Sequence, residues 1–287
     1  MNNKVNFTRI KDVVKIVNRE NEMEDNSIMS GFERLDEVKQ GWLSGELCVI
    51  GGRPSIGKTG FIMSFISNLL NRNVPVSLFS ASDELNKHFL ARLLKFLEDD
   101  ECMYNKEPLD NIRTKDYSEI PLYLNFQHEM TLDYIKVNAE ILVHDFGVKC
   151  IFIETIQSLF NSEIDGNTKE GMELICHKLK QFAKELNVPI IVTSTLNCYK
   201  SYMMIPEITN LKSGNAIENE SDSVILLHRP EYYKIYQDIA GNNLHNIIDI
   251  MIRKNRNRCI GDVIYKFNHD IGKVEKFNFP VPKLYIR

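Results

Sequence analysis

The sequence has no C-x-x-C pair, no apolar run long enough to cross a bilayer, and no excess of basic charge. Each absence removes a class of function. The six cysteines, Cys48, Cys102, Cys150, Cys176, Cys198 and Cys259, are scattered along 287 residues. Metal-ligand spacing is therefore missing, and a disulfide framework does not suit a chain of this length. Cys48 and Cys150 fall inside apolar runs and read as buried thiols of a reducing compartment. The opening stretch MNNKVNFTRIKDVV lacks the apolar core of a signal peptide, so the expectation is a soluble cytoplasmic protein with no membrane partner. A formal net charge of −4 gives no overall pull toward a polyanion, and any nucleic acid must be held by a local basic patch. There is no internal repeat.

What is present is an alternation. Residues 8–20 place Ile10, Val13, Val14 and Val17 on one helical stripe, and the polar stretch Asn18–Ser27 after them reads as a linker. Residues 1–29 are thus expected to form an arm, and 30–287 one domain. From Gly31 onward, short apolar runs alternate with amphipathic segments of helical length. Leu47–Ile50, Pro75–Ser80, Ile120–Leu124, Val148–Ile153, Pro189–Thr193 and Ser223–Leu227 read as buried strands. Helices are expected from Lys58 to about Leu70, after Asp83 with Leu85, Phe89, Leu93 and Leu97 on one face, from Thr131 to about Phe146, and over Thr168–Leu186. Apolar strands alternating with helices imply an α/β fold, a mostly parallel twisted sheet with helices on both faces. Asn246–Ile252 and Ile260–Phe267 flank the basic turn Arg253–Arg258, which predicts an antiparallel hairpin at the sheet edge.

The clearest chemical signal is Gly52-Arg53-Pro54-Ser55-Ile56-Gly57-Lys58-Thr59, followed by Gly60. It fits G-x-x-x-x-G-K-[ST], the Walker A phosphate loop, with the required strand before it and helix after it. Glycines let the backbone curl so that successive N–H groups face one phosphate, and the helix N-terminus adds partial positive charge. Lys58 is expected on the β- and γ-phosphates and the Thr59 hydroxyl on magnesium, which makes ATP and Mg2+ the expected ligands.

Hydrolysis also needs an acid beside the metal, a group that orients water, and a cation on the developing charge. Glu154 ends the strand Val148–Ile153 and is the candidate metal-side acid. Ser82, Asp83 and Glu84 emerge at the same edge. Asp83 or Glu84 can orient water, although Asp83 serves equally as a helix cap. Lys254 and Arg256 project from the basic turn, which alone reads as a solvated tip and in a ring of subunits as a finger into the neighbour's site.

These segments together resemble the motor domain of DnaB-type replicative helicases. GFERLDEVKQGWLSGELCVIGGRPSIGKT is similar to the entry of that domain, and PVSLFSASDEL, CIFIETIQSL, KLKQFAKELNVPIIVTSTLN and IRKNRNRCIGDVIYKFN follow in the family's order. NLKSGNAIENESDSVILLHRPEYY fits a further family stretch, and the likeness runs from Ser30 to about Asn268. The resemblance implies a RecA-like core and a ring-like homo-oligomer, a hexamer in the expected case. It further implies single-stranded DNA and other replication proteins as partners. Lys254 and Arg256 would act in trans on the neighbour's γ-phosphate, and the helix of residues 8–20 would dock on the adjacent protomer.

Several positions depart from the family. Its water-activating glutamate falls on Ser82, its metal-side aspartate on Glu154, and its γ-phosphate-sensing glutamine on Thr195. The two DNA-facing loops hold few cations, namely Lys169 in 158–170 and Lys200 and Lys212 in 197–212, with Tyr199 and Tyr202 as candidates for stacking on bases. No counterpart of the family's separate N-terminal helical domain is expected. The departures leave a second expectation open, an ATP-binding oligomeric assembly protein of the same descent with weakened catalysis. A recombination- or clock-type RecA-like ATPase is a third, against which the linker helix and the Lys254/Arg256 hairpin argue by resemblance.

Overall fold

The computed structural model describes residues 27–81, 87–98, 117–127, 130–160, 168–197, 205–239, 241–256 and 258–276. The expected helix over 8–20, the cap Asp83 with its neighbours Ser82 and Glu84, and the loop residues Tyr199, Lys200 and Tyr202 lie outside them.

In chain order the elements are α1 (Glu33–Lys39), β1 (Leu47–Gly52), α2 (Lys58–Leu70), β2 (Val76–Ser80), α3 (Lys87–Glu98), β3 (Leu122–Phe126), β4 (Met130–Thr131), α4 (Leu132–Phe146), β5 (Cys150–Glu154), β6 (Leu159–Phe160), α5 (Lys169–Leu186), β7 (Ile190–Thr195), α6 (Gly214–Glu220), β8 (Ser223–His228), β9 (Ile247–Asn255), β10 (Gly261–Asn268) and β11 (Lys273–Glu275). Among the described residues, one nine-stranded sheet has the order β11-β10-β9-β8-β1-β7-β5-β2-β3, and β4 pairs with β6 in a second, two-stranded sheet. The run from β8 to β3 is parallel, and β9, β10 and β11 add antiparallel to it.

The α/β expectation holds, with shifts at element ends. The strand expected at Ile120–Leu124 is Leu122–Phe126, and the one expected from Val148 begins at Cys150. The hairpin forms as expected, but β11 covers β10, so β11 is the edge. Helix starts follow their caps. Thr131 accepts from the Tyr134 amide at 3.1 Å and Thr168 from the Gly171 amide at 3.0 Å, each satisfying a donor the first turn leaves without an intrahelical partner.

Strand alternation divides the core between the two faces. Cys48 and Ile50 of β1 face α1, α2 and α3, whereas Leu47 and Val49 face α4, α5 and α6. On the first face Trp42, Phe65 and Phe152 pack with ring centroids 4.7 and 5.3 Å apart. Each such buried ring stabilises the fold by about 2–3 kcal/mol. The chain enters β1 over a buried ion pair, Lys39 Nζ to Glu46 Oε1 at 2.7 Å. Glu46 also accepts from Ser223 Oγ at 2.5 Å and from the Leu43 amide at 2.9 Å, so the buried charges are paired and hydrogen-bonded. Among the described residues no helix is long and apolar enough to cross a membrane. Cys48 and Cys150 are buried as expected, and burial pushes the Cys48 thiol up to about 11.

Candidate functional site

β1 lies inside the parallel part of the sheet, between β7 and β8. Its carboxyl end, where open α/β sheets bind ligands, delivers the glycine loop. Gly57 is the N-cap of α2 with φ 117° and ψ 17°, a left-handed backbone that glycine adopts without strain. A Cβ there would stand 2.8 Å from the Phe267 ring. Lys58, Thr59 and Gly60 form the first turn of α2, where helical amides have no intrahelical acceptor and point outward to an anion.

The lysine of the loop folds back on the loop itself. Lys58 Nζ donates to Gly52 O at 2.8 Å and to Arg53 O at 2.9 Å. Burial pushes its ammonium down to about 8, against a smaller upward pull from Glu154. The Thr59 hydroxyl donates to Glu154 Oε1 in a short hydrogen bond. The two expected metal-side groups, 95 residues apart in sequence, are therefore brought together. Ile56 is buried and anchors the loop, while Pro54 and Ser55 are exposed. Arg53 lies over the Tyr233 ring at 5.4 Å.

A cleft of about 620 Å³ opens over the loop, lined in part by Lys58, Thr59, Arg92, Arg229, Phe267 and His269. Arg92 Nε donates to Ile271 O at 2.5 Å and Nη2 to Gly272 O at 3.1 Å. Burial lowers the affinity of its guanidinium for the proton, and Glu154 opposes that. Arg229 sits over the Phe267 ring at 4.0 Å and pairs with Glu231 at 3.2 Å. Its Nη2 is also 3.1 Å from the His269 ring nitrogens. The sequence pattern does not single out Arg92, Arg229 or His269. No local signal marks them, because long stretches of chain separate them from the loop they reach.

Three further expected positions are located. Thr195 pairs in register with Gly52, and its amide donates to Gln157 Oε1 at 3.3 Å. Gln157 Nε2 in turn donates to Ser194 Oγ at 2.8 Å, tying the end of β5 to the end of β7. Lys169 is exposed as the first residue of α5. Lys212 is half-buried beside the Leu196–Leu211 bridge that closes the base of its loop, and its amide donates to Thr195 O at 3.4 Å.

Lys254 and Arg256 lie at the far end of the sheet. β9 runs antiparallel to β8, with Asn255 opposite Ser223 and Ser223 opposite Cys48. The tip therefore stands at the amino end of β1. Gly52 is five residues beyond Leu47 along that strand, about 16 Å at 3.3 Å per residue. Lys254 Nζ donates to Ser221 O at 2.6 Å and to Glu218 O, and Arg256 Nη1 donates to Asp222 Oδ1 at 3.2 Å.

Known proteins share this architecture. The family model described as DnaB-like helicase C terminal domain matches residues 27–276. A probable replicative DNA helicase of Trieres chinensis is 28% identical over 264 residues, covering 86% of this chain and 56% of that protein. The replicative DNA helicase DnaB of Mycoplasma pneumoniae is 26% identical over 278 residues, covering 90% and 59%. The chain thus spans less than three fifths of the length of these two relatives. Among solved structures, a DnaB-like replicative helicase described with its interactions with primase superposes with TM-score 0.78 at 22% identity, over 94% of this chain and 69% of the other. A second solved structure, described as an ATPase domain, does so with TM-score 0.78 at 21% identity, over 95% of this chain and all of that one. These two likenesses speak to the fold, a RecA-like sheet.

Proposed function

The chain belongs to the family of DnaB-like helicase C-terminal domains, and from that premise we propose that it is a helicase motor that moves on single-stranded DNA in replication and hydrolyses ATP between neighbouring copies. The observation that carries the reading is the convergence of Lys58, Thr59 and Glu154 at the carboxyl end of β1 and β5. Residues 30–287 are taken as one ATPase domain and 1–29 as the arm that docks on the next copy. The assembly is a ring, a hexamer, open to other replication proteins.

The residues fit a magnesium triphosphate. Lys58 exchanges the Gly52 and Arg53 carbonyls for β- and γ-oxygens, and the first-turn amides of α2 meet the same phosphates. Thr59 and Glu154 offer the hard oxygen donors that would hold Mg2+, which when bound supplies a Lewis acid against the charge developing on the phosphates. Arg256 stands at the amino end of β1, away from this copy's own loop, and is assigned to the departing phosphate of a neighbour, beside Arg92 and Arg229 of the copy that holds the nucleotide. Lys254 supports the same tip. Asp83 or Glu84 is left to orient water, since the family's glutamate position holds Ser82. Lys169, Lys200 and Lys212 are the cations assigned to the DNA-facing loops.

The test is ATP turnover by the full chain with and without single-stranded DNA, in wild type and Lys58→Ala. Stimulated turnover that Lys58→Ala abolishes supports the reading. Turnover indifferent to DNA shifts it to a nucleotide-held assembly protein, in keeping with Ser82 and Thr195. An empty cleft at millimolar ATP and magnesium refutes both.

A further inference from the structure

Arg256 does not hang free from its hairpin. Its Nη1 donates to Asp222 Oδ1 at 3.2 Å and its backbone amide to Asp222 O at 2.9 Å. Asp222 itself is nearly buried, in the turn between α6 and β8. Its other carboxylate oxygen accepts from Lys180 Nζ at 2.5 Å and from the Leu47 amide at 2.9 Å. Its own amide donates to Leu47 O at 2.9 Å. One residue therefore clasps the first residue of β1 on one side and the tip of β9 on the other. The tip has further moorings, with Lys254 on the carbonyls of Glu218 and Ser221 and Asn255 Nδ2 on Cys259 O at 2.8 Å.

An exposed ion pair alone is weak evidence of a role, and the Arg256 side chain is 56% exposed. Here the carboxylate is fixed by donors other than the arginine, so it is a stationary anchor. It engages Nη1, and a guanidinium with five N–H donors keeps donor capacity on Nη2 and Nε for a second acceptor. A long side chain tethered in this way loses its rotamer freedom before the reaction and not during it, which is how a positioning group raises a rate.

We infer that Asp222 is a positioning residue for Arg256, aiming its guanidinium at the triphosphate of the neighbouring copy and tying that aim to the strand that enters this copy's own phosphate loop. The inference rests on the proposed function, which supplies the neighbour's triphosphate. Because the clasp on Leu47 is five residues upstream of Gly52, a shift of β1 in one copy moves the cation offered to the next.

The experiment is steady-state ATP turnover by Asp222→Asn, which keeps the shape of the side chain and removes its charge. Loss of a charge-assisted hydrogen bond predicts kcat about 10- to 100-fold lower, with KM within about twofold, since the finger acts on the transition state. Asp222→Glu recovers part of the rate. Asp222→Asn adds nothing in an Arg256→Ala background, because it acts through that side chain. Mixing Asp222→Asn with an excess of Lys58→Ala restores turnover, as each Lys58→Ala copy presents an intact Asp222–Arg256 pair to an intact phosphate loop. Effects of Asp222→Asn and Arg256→Ala that multiply, a rise in KM that matches the fall in kcat, or no recovery on mixing would each overturn the inference alone. Wild-type turnover that does not depend on Lys58 would overturn the proposed function and the inference with it. Should Asp222→Asn not fold, Asp222→Glu is read in the same mixing assay against the same outcomes.

Discussion

Raising the pH should weaken nucleotide binding through one proton on Lys58. Its ammonium sits between two loop carbonyls at 2.8 and 2.9 Å, and burial, partly offset by Glu154, brings it down to about 8. A triphosphate in the cleft keeps the proton on. The ligand-free protein has lost that proton in about 0.1 of molecules at pH 7 and about 0.9 at pH 9. Binding at pH 9 must therefore take up about 0.8 proton more than at pH 7. Affinity should be about tenfold lower at pH 9, which is about 1.4 kcal/mol. Calorimetric titration in two buffers of different ionisation enthalpy, at both pH values, reads the uptake directly. Equal uptake at the two pH values, or an unchanged affinity, refutes the reasoning. The same shift has the opposite consequence for the empty fold. The unfolded chain holds this proton more tightly, so the stability withheld below pH 8 returns as pH climbs from about 8 toward the ordinary lysine value of 10.5.

Other perturbations follow from the packing. Glu46→Gln leaves the Lys39 ammonium buried without its counter-charge and should cost about 3–5 kcal/mol in urea unfolding; a loss under about 1 kcal/mol contradicts the buried pair. Burial, with a smaller push from Asp262 and an opposing pull from Arg253, raises the Asp249 carboxyl to about 7. Its ionisation thus costs stability as pH rises from about 4 through 7. Asp249→Asn should gain on wild type in melting temperature between pH 5 and pH 8, and a gap that does not widen contradicts this. Gly60→Ala places a Cβ 2.0 Å from Gly272 O, which only a backbone shift relieves. Destabilisation of about 1–3 kcal/mol is expected, and an unaltered melt argues against that contact.

The legible parts of the chain were those where one local signal sufficed. The glycine loop with the helix after it, the helix starts at Thr131 and Thr168, and the apolar β5 ending in Glu154 each declare themselves within a few residues. α1 escaped because seven residues with Phe32 as N-cap show no side-chain cap, and α6 because it starts from Ser213 in a left-handed conformation. β11 is three residues long and is a strand only by virtue of β10. Half of the cleft was hidden for the same reason. Arg92, Arg229 and His269 reach the loop through tertiary packing, which periodicity does not encode. The family likeness, by contrast, was readable from Ser30 onward, and the matching model covers 27–276.

The antiparallel course of β9 has a consequence for counting. With the phosphate loop at one end of the strands and Arg256 at the other, each molecule carries two unlike halves of a proposed reaction centre, and no molecule owns a whole one. Copies must then join head to tail, a heterologous contact that either closes on itself or runs on as a filament. A closed circle has as many complete centres as members, while an open row always has one fewer. Specific activity should accordingly rise with protein concentration, and a member defective in one half should silence one site, its own if the phosphate loop fails and its neighbour's if Arg256 does.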